Sequence, residues 1–497
     1  MFIRKKLNKS GTTSIQIIQK VGRSNKIIKT IGSSSNSNEI EKLYQKALYE
    51  MPRLYGATLF DTPTEPVISE LSNDSIRVCG PDIIFGQIYD HIGYGQLREP
   101  LLKDLVISRI THPGSKLNLA KYLSITGQRN ISVYSIYRFL DKLNSRLKKK
   151  VEDISFDYTR NILGGRIGVV FYDMTTIYFE ASEPDDFRIA GFSKEGKHQN
   201  PQIMLGLLVG RDGYPIGYEL FEGNSFEGNT LIPVLEKYTE RFQLKKPIVI
   251  ADSGLLSKSN IEQLAENGYG FIIGARIKNE TNTIKSKILA LELADGQLSK
   301  IDKENGLILH ISYSDKRAKK DRYNRERGLA KLEKRLSSGK LTKANINNRG
   351  YNKFLKLEGQ INVSIDQEKL GIDQKWDGLK GYLTNTDLTS AEVIGNYNNL
   401  WKIEKAFRIS KTDLRIRPIF HRLKKRIEAH ICVSFMAYLI YKELERVLKH
   451  SSNGLSMNTA IENINKMYEV VSDNNQIFRL KNTLIQQQIW DIVKSSF

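Results

Sequence analysis

The chain has 497 residues, 40% hydrophobic and 26% charged, the balance of a soluble globular protein with room for about three domains. Its 76 Lys and Arg against 55 Asp and Glu leave a net charge of +21, which favours a polyanionic partner, nucleic acid first. No secretory leader, basic amphipathic anchor or run of ~18 apolar residues stands out, so a cytoplasmic, nucleoid-associated protein without membrane contact is expected.

Cys79 and Cys432 lie far apart in apolar settings and read as buried thiols rather than a disulfide. The seven histidines show no zinc-ligand spacing, and no GxxxxGK[ST] phosphate loop occurs. A structural zinc and an NTP-driven motor are therefore not expected.

In chain order, residues 1–50 form a small basic β-rich region, of which residues 1 to about 35 alternate polar and apolar positions and predict a β-meander. A polar break at Ser33–Asn38 follows, with Asn38 positioned to cap a helix over Glu39–Tyr49. Pro52 to about Arg77 reads as irregular. Within residues 51–165, short amphipathic helices surround the break Thr111-His-Pro-Gly-Ser115, and Lys142–Lys150 adds a basic cluster. A helix-turn-helix-like DNA-binding region fits this pattern, although other small helical domains share it.

Residues 166–280 alternate strand and helix. Ile167-Gly-Val-Val-Phe-Tyr-Asp173 and Pro247-Ile-Val-Ile-Ala-Asp252 have the form of buried strands, each ending in a carboxylate. Open α/β sheets place their sites at such strand ends. Between them, Pro201–Gly210 and Tyr214–Phe221 predict a hairpin turning at Asp212-Gly213. Asp212 is accordingly a turn residue.

A third carboxylate comes from Tyr397-Asn-Asn-Leu-Trp-Lys-Ile-Glu404-Lys-Ala-Phe-Arg408-Ile-Ser-Lys411. At about 100° per residue, positions 397, 400, 401, 404, 408 and 411 share one helical stripe, placing Glu404 beside Tyr397, Arg408 and Lys411. The alternative is a core helix with a salt-bridged Glu. Asp173, Asp252 and Glu404 together form the triad that two Mg²⁺ ions require.

The element order suggests an α/β protein with a ribonuclease H-like catalytic core. Residues 166–280 supply its first part and 381–450 its second, including the Glu404 helix. A β-rich basic insertion is expected over 281–380, and a helical tail over 451–497. The insertion carries a dense cationic run in which Lys316, Arg317, Lys319, Lys320, Arg322 and Arg325 are candidate DNA contacts.

From about residue 80 to 445 the chain resembles a DDE transposase of the bacterial insertion-sequence type, the branch with a Tyr-x2-Arg-x3-Glu-x6-Lys signature. Tyr397, Leu400, Glu404 and Lys411 occupy that signature, followed by Arg415-Ile-Arg-Pro-Ile-Phe-His421. Tyr172-Asp173-Met-Thr-Thr and Ala251-Asp252-Ser-Gly-Leu-Leu-Ser resemble its two Asp motifs, and Ser193-Lys-Glu-Gly-Lys, Pro201-Gln and Gly223-Asn-Ser are also similar. One departure is that Leu400 stands where the family has Arg, a phosphate contact. Lys402 and Arg408 are the nearest substitutes.

The resemblance implies binding to double-stranded DNA at terminal inverted repeats, cleavage, and joining of 3′-hydroxyl ends to target DNA within a synaptic homodimer. The cofactor implied is a pair of Mg²⁺ ions held by Asp173, Asp252 and Glu404, with Mn²⁺ able to substitute. Tyr397 and Lys411 would hold phosphates, and Trp376 of the insertion would trap a flipped base. The alternatives are a structure-selective nuclease that never joins strands and a catalytically silent DNA-binding relic; the complete triad weighs against the relic.

Overall fold

A computed structural model describes residues 1–54, 75–126, 130–143, 145–180, 183–191, 196, 199–225, 227–252, 254, 257–339, 341, 343–347, 349–358, 362–451, 454–472 and 476–497. Most of the segment expected to be irregular, and all of the Ser193–Lys197 motif except Gly196, lie outside them. The chain divides into two units, Met1–Ser72 and Asn73–Phe497.

In the first unit, β1 (Phe2–Leu7), β2 (Thr13–Val21) and β3 (Ser24–Ser34) form an antiparallel meander, followed by α1 (Ser37–Arg53). Alternation in β2 turns Ile15 and Ile17 inward, where Ala47 and Leu43 of α1 cover them. The helix starts earlier than Asn38 predicts, because the Asn36 carboxamide oxygen accepts from the Asn38 N–H at 2.9 Å.

The second unit opens with β4 (Ile76–Val78) and the helices α2 (Gly80–Ile92), α3 (Pro100–Thr111), α4 (Lys116–Thr126), α5 (Val133–Lys142) and α6 (Ser145–Ile162). Next come β5 (Val169–Tyr178), β6 (Gln202–Val209), β7 (Pro215–Glu222), α7 (Leu231–Phe242), β8 (Ile248–Ala251), α8 (Lys258–Glu266) and β9 (Phe271–Ala275). Asp212 sits in the β6–β7 turn with φ +64°, as a turn residue there requires.

The segment expected as a β-rich insertion holds α9 (Asn282–Leu289), β10 (Leu298–Asp302), β11 (Ile308–Tyr313), the 23-residue α10 (Asp315–Ser337), the small hairpin β12 (Leu355–Glu358) and β13 (Asn362–Ile365), and α11 (Gln367–Gln374). β14 (Leu379–Thr384), α12 (Ser390–Tyr397), α13 (Trp401–Arg408) and α14 (Lys424–His450) follow. The tail contains α15 (Met457–Ile464), β15 (Tyr468–Val471), β16 (Ile477–Arg479) and α16 (Leu484–Ser496). It is thus not wholly helical: β15 pairs with both β16 and β4, tying the tail to the start of the unit.

One eight-stranded mixed sheet, ordered β10-β11-β14-β9-β8-β5-β6-β7, organises the unit. Its β5–β8 and β8–β9 joins are parallel and the others antiparallel. β10 and β11 extend this sheet rather than forming a separate one, so the expected insertion is less β-rich and less detached than its sequence suggests. Local sequence can specify a strand but not the sheet it joins.

Both faces are covered. Phe171, Ile250, Ile272 and Tyr382 pack on the α14 side, whereas Val170, Val249, Ile273 and Leu383 share a core with Leu231, Val234 and Leu235 of α7. Coverage on both faces is why these strands read as continuous apolar runs. Cys79 and Cys432 are buried free thiols, and burial pushes the Cys432 thiol up to about 12.

Candidate active site

The parallel pairing of β5 and β8 matches Val169 with Ile248 and Phe171 with Ile250. Asp173 lies two residues beyond this paired stretch on β5, and Asp252 immediately follows the end of β8, so both carboxylates come just past the parallel pairing. On the other side of β8, Ala251 pairs with Ile273, and the next residue of β9, Gly274, is paired with Tyr382 of β14. Asp173 is half-buried and accepts from the Met174 N–H at 2.7 Å, whereas Asp252 is exposed.

The segment carrying Glu404 is not the single helix expected. Tyr397 ends α12, i→i+3 bonds close the turns from Tyr397 to Ile403, and Glu404 lies in α13. Lys411 falls in a π-helical turn over Ile409–Asp413. Tighter and then wider turns displace residues from a 100° stripe, which is why Tyr397 is buried while Glu404 is exposed. Two ion pairs hold α13: Lys402 to Asp212 at 2.7 Å, and Lys405 to the buried Glu445 of α14.

Tyr397 links these parts. Its hydroxyl lies over Gly274, where an added Cβ would be 2.5 Å away. Its ring meets Tyr382 edge-on, with centroids 5.0 Å apart. Burial, then the negative charges of Asp252 and Glu404, push the phenol up to about 12 against the opposing charge of Arg317. Tyr397 thus lies in the field of both carboxylates and stays a protonated hydrogen-bond donor at neutral pH.

Lys380 of β14 places its ammonium 4.5 Å from the Tyr397 ring centroid and 5.0 Å from that of Tyr382. Burial and Arg317 lower its pKa, and the charge of Asp252 opposes them. Sequence reasoning missed Lys380, Tyr382 and Gly274. The available signal was Lys380 and Tyr382 two residues apart, hence on one face, at the strand returning to the core.

The remaining candidates scatter. Lys316, Arg317, Lys319, Lys320 and Arg322 are on α10, all exposed. Arg325 on the same helix is 6% exposed and bonds both carboxylate oxygens of Asp377 at 2.5 and 2.6 Å, so it is structural rather than a free DNA contact. Trp376 is also 6% exposed, packed in the core beneath the sheet and lining a cleft beside Lys380. Arg408 is exposed and Lys411 half-buried. Leu400 packs against the core, and Lys402 is paired with Asp212.

A cleft of about 670 Å³ opens beside Lys380, lined by Arg276, Lys278, Arg317 and Lys353 among others. Among the described residues, no three His, Cys, Asp or Glu side chains come together closely enough to hold a metal ion. The donor chemistry nevertheless suits a hard divalent cation: Asp173 on β5, Asp252 just after β8, and Glu404 on a helix packed against β5.

Two aspartates thus lie just beyond the pairing of neighbouring parallel strands of a mixed sheet, with Lys380 and Arg317 among the residues lining a cleft on it. The profile of the family described as "Transposase DDE domain" matches residues 164–440. The chain belongs to that family, whose members transpose DNA and as a class use divalent metals.

No curated protein matches. Among solved structures, the piggyBac transposase synaptic complex with hairpin DNA is 10% identical, with 80% of this chain and 81% of that one covered and a TM-score of 0.40. The Mos1 transposase paired-end complex with left transposon end is 13% identical over 48% and 67% of the chains, TM-score 0.16. The Mos1 mariner paired-end complex with Mn is 13% identical over 46% and 67%, TM-score 0.15. No helix among the described residues is long and apolar enough to cross a membrane.

Proposed function

We propose that the protein is an insertion-sequence transposase that binds terminal inverted repeats, cleaves DNA and joins the freed 3′-hydroxyl ends to target DNA. The observation carrying this reading is the parallel pairing of β5 and β8, with Asp173 and Asp252 just beyond it and the Glu404-bearing α13 packed against β5. The order β7-β6-β5-β8-β9, antiparallel at its first two joins and parallel at its last two, supports a ribonuclease H-like core.

Asp173, Asp252 and Glu404 would hold two Mg²⁺ ions, which supply Lewis acidity to the attacking and leaving oxygens. Tyr397 donates its phenolic proton to a phosphate oxygen, and Lys411 and Arg408 face the neighbouring phosphates. The exposed cations of α10 lie along the flanking duplex, giving salt-dependent binding. Two copies of the chain pair two DNA ends.

The test is incubation of purified protein with a terminal-repeat duplex, a plasmid and Mg²⁺. Cleavage and joining by the wild type, both lost in Asp173→Asn and Asp252→Asn with DNA binding kept, are expected. Cleavage without joining would instead identify a nuclease. Binding with no cleavage in any divalent metal would overturn the reading.

A further inference from the structure

Leu400 removes the signature cation, yet a site that grips a phosphodiester between carboxylates needs positive charge beside them. Lys380 has the required setting. It is half-buried on β14, lies over the rings of Tyr397 and Tyr382, and senses the charge of Asp252. Among the described residues, its ammonium makes no hydrogen bond or ion pair. A half-buried ammonium with all three protons uncommitted and two aromatic walls to orient it is ready for an anionic oxygen.

Arg317, at the start of α10, adds a second charge on the same side. Its nearest carboxylate, Asp321, is 3.6 Å away along its own helix, an exposed pair that competes weakly. Both cations line a cleft whose walls also bear Arg276 and Lys278, the latter paired with Asp373, and the carboxylates of Asp321 and Asp377.

We infer that Lys380, backed by Arg317, holds the phosphate next to the cut and supplies from β14 the cation that Leu400 removes from the helix. This rests on the proposed function, because it presumes a DNA end at Asp173 and Asp252. A point charge on a flexible stem grips one oxygen rather than a bidentate pair. Its loss should therefore weaken binding without redirecting sequence choice.

The experiment measures binding without divalent metal over a salt series, using two terminal-repeat duplexes: one extending through the cut, one stopping short of it. Lys380→Gln should bind the extended duplex about ten-fold more weakly, with a salt slope shallower by about one. It should bind the short duplex like the wild type. Lys380→Arg should keep most of the preference, and Arg317→Gln, at an exposed site where folding is not at stake, should lose part of it.

Equal losses on both duplexes, or none for Lys380→Gln and Arg317→Gln, would overturn the inference. Wild-type cleavage and joining, assayed with Mg²⁺ on the same preparation, report separately on the proposed function.

Discussion

Gly274→Ala is the sharpest test of how the site is assembled. The added Cβ would lie 2.5 Å from the Tyr397 hydroxyl and 3.2 Å from the ring carbon bearing it. Ordinary contact begins near 3.4 Å, so the ring must retreat by roughly 0.9 Å. Retreat is obstructed, because Tyr382 lies edge-on at 5.0 Å and Lys380 sits over the ring at 4.5 Å. Overpacking of this kind costs about 1–3 kcal/mol. Most of the displacement passes to Tyr397 and through the short turns to Glu404, and a shift of about 1 Å costs on the order of 10²-fold in rate. The assay compares single-turnover cleavage with end binding and with urea unfolding. Cleavage about 10²-fold slower, with binding within a few-fold, is expected. Full cleavage with a wild-type unfolding midpoint would refute the assembly around Tyr397.

Further expectations concern individual groups. Glu404→Gln should keep fold and DNA binding and lose on the order of 10²-fold or more in cleavage and joining. Asp413→Asn should stay active, since the Asp413 carboxylate accepts from Tyr441 at 3.1 Å. An active Glu404→Gln protein beside an inactive Asp413→Asn protein would show that the wrong carboxylate was chosen. Arg325→Ala strands the half-buried carboxylate of Asp377 and should cost about 2–3 kcal/mol, read by urea unfolding; unchanged stability would place Arg325 among the surface cations. Burial, with the cations of Lys116, Arg426 and Arg109, lowers the His421 pKa to about 4, and that of buried His430 moves the same way. The unfolded chain then binds the proton more readily, so stability falls from about pH 6.5 downward. His421 alone accounts for about 2 kcal/mol by pH 5. His421→Gln should flatten part of that slope in unfolding curves at pH 7 and 5; an unaltered slope would contradict it. Glutamine substitution of Lys316, Lys319 and Lys320 should weaken end binding and reduce its salt dependence, and unchanged binding would make α10 merely a solvated helix.

Several features were already fixed in the linear chain. Apolar runs of near-continuous Val, Ile and Phe marked β5, β8 and β9 as strands covered on both faces, and the carboxylates ending the β5 and β8 runs were legible with them. Asp212 was legible as a turn residue, because the need for φ > 0 is local. Tertiary structure decided what local patterns leave open. Register between β5 and β8 is a long-range pairing, and it decides that the segments carrying Asp173 and Asp252 run side by side up to Phe171 and Ile250. The i→i+3 turns after Tyr397 broke the expected stripe, since contacts with Gly274 and Tyr382 hold Tyr397 inward while ion pairs to Asp212 and Glu445 hold α13. Arg325 and Arg322 look alike in a charge run, yet only Arg325 meets Asp377 inside the fold. Lys380 carried no motif at all: its place beside Asp252 exists because β14 crosses back next to β9, a neighbour more than 100 residues away in the chain.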